Sequence, residues 1–257
     1  MSLPITYWKI RPYNFGLLLF AASSCTVYAP MQGTMPLITA KGQAEFGASI
    51  QPIGRVEATA AYSPANHLLL TAGVTGCPKL GTKNFLVTRQ YEIGVGGYQK
   101  LGAQWLLSGL GGYGQAVNNR GYHDLGIIYG SSYSEYNARY DKAFAQLGVA
   151  HTGPLSTIGL TYRLVQVKFS ELTDTQLGSL PLPQMLRHEV LLFQRFGWAG
   201  QRGSWALVNA AGLSVSSTPK LDSDLGYPTY GAAEYEANRN LLPAFFWSFG
   251  LSYQPVW

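Results

Sequence analysis

The sequence predicts an all-β fold: an antiparallel, up-and-down transmembrane β-barrel of about ten strands. Three observations predict it. Apolar and polar residues alternate with the strand period of two over most of the chain beyond residue 42. The alternating stretches run to about 9–15 residues, longer than the ~5–6 of soluble sheets and long enough to cross a bilayer at a tilt. Short and long connections take turns, which places the long ones on one side, as in outer-membrane barrels.

Composition supports this and excludes other classes. Only 12% of the 257 residues are charged, against about 25% in ordinary soluble domains. Thirty glycines, 17 tyrosines and 6 tryptophans argue against disorder, which goes with high charge and few aromatics. No apolar run is long enough for a transmembrane helix. The net charge is +5, but Lys9 and Arg11 lie in the first 24 residues, which hold no acid; the remainder has 16 basic and 13 acidic side chains, or +3. That is too mild for a nucleic-acid surface.

The N-terminus reads as a targeting segment. Lys9 and Arg11 precede an apolar stretch from Phe15 to Ala22, then Ser23, Ser24 and Cys25. A basic region, a short apolar region and small residues form a secretory signal. Small residues leading into a cysteine resemble a bacterial lipobox, with Cys25 the acylated residue; a plain secretory peptide is the alternative. Residues 1–24 are then the signal, 25–41 a periplasmic tether and 42–257 the barrel. Cys77, the other cysteine, is expected to be a free thiol.

Strands follow in order. Residues 43–51 set Ala44, Phe46, Ala48 and Ile50 against Gln43, Glu45, Gly47, Ser49 and Gln51. Residues 55–63 set Val56, Ala58, Ala60 and Tyr62 against Arg55, Glu57 and Thr59. Residues 156–164 and the stretch from Ala244 to Gln254 alternate as cleanly. The noisier 67–74, 86–98, 103–115, 140–151, 186–198 and 204–216 complete the ten. Short connections fall at 64–66, 99–102, 153–155 and 199–203, and long ones at 75–84, 116–139, 170–185 and 217–240. An even strand count leaves both chain ends on the short-turn, periplasmic side.

Tyr62, Trp105, Trp198, Trp205 and Tyr253 lie beside the short turns on the apolar face. They predict an aromatic girdle at one interface. The opposite face contributes Glu45, Arg55, Glu57, Glu92, Arg163, Arg187, Glu189 and Arg195. Four acids and four bases in a narrow lumen are costly unless paired, so an ion-pair network filling a closed interior is expected. A polar path for a small solute is the alternative reading of the same residues.

Function is otherwise expected in the outer loops. Loop 116–139 carries Tyr122, Tyr129, Tyr133 and Tyr136, and loop 217–240 carries Tyr227, Tyr230 and Tyr235. Tyrosine among Gly, Ser and Asn makes adaptable contact surfaces. The histidines, His67, His123, His151 and His188, show no metal-ligand spacing, and Asp222 and Asp224 lack the rest of an EF-hand. No cofactor or metal is expected. No nucleophile elbow is present, though His151 or His188 beside a serine would be the place to look for catalysis.

Further residues carry a resemblance: Cys25, Tyr28-Ala29-Pro30, Pro36-Leu37, Lys41-Gly42-Gln43, Ala60-Ala61-Tyr62-Ser63, Gly96-Gly97-Tyr98, Gly111-Gly112-Tyr113-Gly114 and Arg195-Phe196-Gly197. In these the chain resembles a group of Bacteroidota outer-membrane lipoproteins with a predicted barrel and no assigned activity. The likeness is best over residues 25–115, with a patch near 195. Gln43 departs from it, since Glu commonly follows Lys-Gly there. The resemblance implies a surface location and a barrel, and neither substrate nor catalytic residue.

The expected function is a closed structural or surface-interaction barrel. Its partners would be outer-membrane lipid, the barrel-insertion machinery that reads the aromatic C-terminal strand, and a surface ligand at loops 116–139 and 217–240. A narrow transport barrel and an outer-membrane enzyme are the alternatives.

Overall fold

The computed structural model describes residues 26–82, 84–126, 130–200, 203–221 and 232–256. Its strands are β1 (Ala44–Ile50), β2 (Val56–Tyr62), β3 (Leu68–Cys77), β4 (Phe85–Leu101), β5 (Trp105–Gly126), β6 (Gly130–Thr152), β7 (Ser156–Asp174), β8 (Gly178–Ser179), β9 (Gln184–Gly200), β10 (Gly203–Ser216) and β11 (Ala244–Pro255). A helix, α1 (Ala232–Arg239), precedes β11. Every pairing is antiparallel. Sequence neighbours pair, β7 passes directly to β9, and β11 returns to β1 with Phe46 opposite Tyr253. Ten strands thus close a barrel, and the two-residue β8 folds back on the end of β7. Among the described residues, closure gives each of the ten wall strands a partner on both sides, the condition for crossing a bilayer with strands.

The outer wall is apolar. Ile93 (58% exposed), Leu147 (67%), Val56, Ile158, Leu192 and Leu207 all face out. The facing inner positions hold charge. This is the inverse of a soluble ligand-binding barrel, whose apolar face points inward.

On the long-loop side the polarity reverses along single strands. In β7, Ile158, Leu160 and Tyr162 are exposed while Thr157, Thr161 and Arg163 are buried. From Val165 the buried residues are Val165, Val167 and Phe169, and the exposed ones Gln166, Lys168 and Ser170. The alternation keeps its period, but the apolar set moves from outside to inside. The lower part of the strand therefore suits an apolar surround and the upper part suits water.

Three of the long connections are more ordered than the sequence predicts. Residues 116–139 are not a loop: β5 and β6 run on in register as far as Gly126 and Gly130, 22 and 23 residues long. Glycine and asparagine hid this, since they are weak strand formers; the hairpin draws its order from cross-strand pairing. β7 likewise continues into 170–185, to Asp174. Within 217–240, α1 caps the long-loop mouth, burying Ala237 with Leu241 just beyond the helix. They join a core of Tyr136, Tyr140, Val165, Val167, Leu172, Leu180 and Met185.

The largest departure is at the N-terminus. Residues 26–38, expected as a tether outside the barrel, run extended through its lumen. Val27, Met35 and Ile38 are fully buried. Thr26 sits at the long-loop end beside Arg120 and Asn240. Thr39 and Ala40 sit at the short-turn end, where Gly42 N–H bonds Ser63 O at 2.7 Å. The described ends of the chain therefore lie at opposite mouths, because Pro255 pairs with Gly203 beside a short turn. Strand parity, the ground for expecting both ends on one side, counts crossings in the wall and not one through the middle. Residues 1–24, expected as a signal, and Cys25 lie outside the described residues.

Candidate functional site

An extended segment inside a barrel has no strand beside it, yet its amides and carbonyls must find partners. Side chains of the wall supply them in sequence from one mouth to the other. Arg120 donates to Thr26 O (3.0 Å) and Asn118 to Val27 O (2.8 Å). Gln90 donates to Ala29 O at 2.9 Å, and Arg55 to Pro30 O. Gln32 N–H donates to both Glu57 oxygens at 3.0 and 3.1 Å. Thr161 holds Gly33 O at 3.1 Å, Arg195 holds Met35 O at 2.7 Å, and Glu45 accepts from Leu37 N–H at 2.9 Å.

The eight charged residues picked out from the sequence are all buried. Arg195 pairs with Glu45 across the seam at 2.7 Å, and Arg55 with Glu57 on neighbouring inner positions of the wall at 3.3 Å. Glu92 takes both Arg163 and Lys142, the latter at 2.5 Å. Lys142 was not among the residues read from the sequence. Its signal was there: it shares the inward face of β6 with Tyr140 and Gln146.

Among the described residues, Arg187 and Glu189 form no ion pair within 4 Å. Arg187 donates to Ser214 Oγ (2.8 Å) and to the carbonyls of Ser214, Asn240 and Leu242, and lies 5.0 Å from the Tyr28 ring. Glu189 accepts from the Tyr28 hydroxyl at 2.8 Å. Arg55, Glu57, Glu45 and Arg195 thus both pair with each other and grip the strap, and Glu189 holds it through Tyr28. Charge-assisted bonds of this kind are about twice as strong as neutral ones.

Glycines mark where strap and wall come close. A Cβ on Gly148 would lie 3.0 Å from Met35 Sδ, and one on Gly73 would lie 3.1 Å from Met31 Cε. Below the polar belt, Met35 and Ile38 pack with Leu69, Tyr98, Leu106, Leu191 and Phe193. The space left beside Gln32 and Gly33 measures about 70 Å³, room for about two waters at the ~30 Å³ each takes in the liquid.

Scans against protein-family models and curated proteins returned no match. Among solved structures, a chain described as "Bacterial polysaccharide outer membrane secretin" is similar at 8% identity, over 86% of this chain and 99% of that chain, with a TM-score of 0.28. A likeness that slight does not bear on function.

On the outer wall at the short-turn side, Tyr62, Trp105, Trp198 and Trp205 are exposed and Tyr253 is half-buried. Trp205 faces both Trp198 and Tyr253, its ring 4.5 Å from that of Tyr253, and Trp105 meets His151 edge-on at 4.9 Å. A second belt, missed in the sequence, lies higher. Tyr91 bonds Gln115 (2.7 Å), Tyr113 bonds Asp141 (2.6 Å), Tyr162 bonds His188 (2.6 Å) and Trp247 bonds Asn209 (2.8 Å). From Trp105 to Tyr113 is eight residues, about 26 Å along a strand and less along the axis. That is the scale of the apolar band of a membrane barrel.

The loop tyrosines fare differently. Tyr136 is fully buried, its hydroxyl bonded to Glu236 of α1. Burial first, and then the Glu236 carboxylate, hold that hydroxyl well above the usual phenol range. Tyr122 lies under the Arg239 guanidinium at 4.7 Å, and Tyr133 bonds Glu135 at 3.0 Å. Tyr122, half-buried, and Tyr136 therefore hold the hairpin to α1. Tyr129, Tyr227 and Tyr230, with Asp222 and Asp224, lie outside the described residues. Tyr235 is exposed. Cys77 is a buried free thiol.

His188 also touches Ser217, Nε2 to Oγ at 3.0 Å. That is nucleophile-to-base spacing. The Ser217 amide, however, bonds Leu186 O at 3.0 Å, and the Thr218 amide bonds Ser216 Oγ at 3.2 Å. Both amides beside the hydroxyl are committed and not poised for an oxyanion.

Proposed function

We propose that this protein is an outer-membrane barrel lipoprotein closed by its own N-terminal segment, acting through the face it presents at the long-loop end. The observation that carries this is the strap: eight wall side chains hold its backbone from Thr26 to Leu37. A lumen filled along its length by a bonded strand leaves no standing aqueous path for a solute. The outer membrane is supported by the apolar wall between two aromatic belts, with water-suited strands rising above the upper one. The surface of that upper part, made by the β5–β6 hairpin and α1, is the contact face. Cys25 carries the lipid. Insertion proceeds through the cell's barrel-insertion machinery, with β11 as the strand it reads.

The deciding experiment is conductance of the full-length protein in planar bilayers, with folding checked by heat-modifiable migration on SDS gels. Folded protein that gives no steady current is the expected result. Steady single-channel steps from the same preparation would overturn closure and make a narrow transport barrel the function. Separately, radiolabelled palmitate should enter the wild type and not Cys25→Ala; equal labelling of both would remove the lipoprotein part.

A further inference from the structure

The strap has a direction, and the direction places whatever precedes it. Its contacts climb the wall in order. Leu37 is held by Glu45 near the short turns, Gln32 by Glu57 at mid-barrel, Pro30 by Arg55 near the far end of β2. Above them Val27 is held by Asn118 and Thr26 by Arg120, on the part of β5 beyond the upper aromatic belt. The first described residue also bonds the lid: Thr26 Oγ1 donates to Asn240 O at 2.8 Å, and Asn240 Oδ1 accepts from Val27 N–H at 2.9 Å. Residues 26–38 span at most about 40 Å when extended, enough to cross the band once and not to return.

We infer that the chain before Thr26 leaves the barrel through its long-loop mouth, so that Cys25 and any acyl group on it belong to the surface side. Successive Cα atoms are about 3.8 Å apart, so Cys25 cannot lie far from Thr26. A tether outside the barrel would instead put the lipid at the short turns. The topology also permits threading. The strap joins directly to β1, and β1 pairs with β11, the last strand of the chain. Closing that seam encloses a segment already lying across the sheet, so no end need be pushed through a finished barrel. The direction of threading rests on the bond ladder alone; its assignment to the cell surface rests on the outer-membrane reading above.

Two measurements separate those parts. The first uses Cys77→Ser protein with either Thr26→Cys plus Asn240→Cys or Thr26→Cys plus Gly102→Cys, treated with a short bis-maleimide. Cross-linking of the first pair and not the second is expected. Cross-linking of the Gly102 pair alone overturns the threading. The second places an epitope between Cys25 and Thr26, after Gly102 or after Lys220, and stains intact and permeabilised cells with antibody. The N-terminal and Lys220 epitopes should stain intact cells, and the Gly102 epitope only permeabilised ones. If Lys220 is hidden on intact cells while the first measurement holds, the outer-membrane orientation fails and the threading stands. If Lys220 stains intact cells and the N-terminal epitope does not, the surface placement of Cys25 is overturned.

Discussion

The Arg195 guanidinium bonds the Glu45 carboxylate and the Met35 carbonyl, each at 2.7 Å. One side chain of β9 thereby ties together the first strand of the wall and the strap inside it. Glu45 completes the knot by accepting from Leu37 N–H and from the Gln254 amide of β11. The seam that closes the barrel and the segment that fills it are held by the same two charges.

Removing one partner of a buried pair costs about 3–5 kcal/mol, because the other charge is left unmet. Arg195→Ala should lower the unfolding midpoint accordingly, read by the temperature at which the gel-shifted form disappears. Arg195→Met with Glu45→Leu should recover much of the loss, since apolar replacement of both partners is often tolerated. Equal damage from single and double variants would contradict the pairing.

Exposure means different things at different heights on the outer wall. Ile93 is 58% exposed within the apolar band, and Lys168 is exposed above it. Ile93→Arg should cost about 2–4 kcal/mol of folding free energy in lipid vesicles, while Lys168→Ala should change stability by less than about 0.5 kcal/mol. Similar small effects at both sites would mean the band does not face lipid.

Close approach at Gly148 gives a steric test of the strap. Gly148→Val would press on Met35 Sδ and Ser108 Oγ, and overpacking of this kind costs about 1–3 kcal/mol. Adding Met35→Ala, itself costly alone, should relieve part of it. A double-variant cycle with no coupling would place Met35 elsewhere.

Tyr136 supplies a pH dependence. Its folded-state hydroxyl is raised above the ordinary phenol value of about 10 by burial and then by Glu236. A raised acid favours the folded state fully below the unfolded value and progressively less above it. The stability difference between wild type and Tyr136→Phe should be level from pH 7 to about 10 and shift against the wild type beyond. A difference that stays flat above that point would show that the hydroxyl is not buried against the lid.

The barrel wall was legible because its signal is local. Phe46 beside Glu45, or Tyr62 beside Ala61, reports a pleated surface with two different sides, and that needs no distant information. Lys142 was legible on the same terms. The hairpin beyond Ala116 was not, because its Gly, Asn and Ser are turn formers taken singly and become strand only against a partner such as Asn119 opposite Asn137. Tyr136 looked like a contact residue because tyrosine serves open loops and buried hydrogen-bonded cores alike.

By itself, the sequence determined that a low-charge chain of alternating stretches would close on itself with charge on one face and aromatic residues at its margins. Alternation states only that two faces differ; strand length, low charge and aromatic margins put the charged face inside. The tertiary structure alone decided what fills the interior. Residues 26–38 have no period, since each finds its partner in a different strand: Val27 in Asn118, Gln32 in Glu57, Met35 in Arg195. Backbone held by scattered side chains leaves no pattern in its own sequence, and it becomes visible only once the wall has brought those side chains around it.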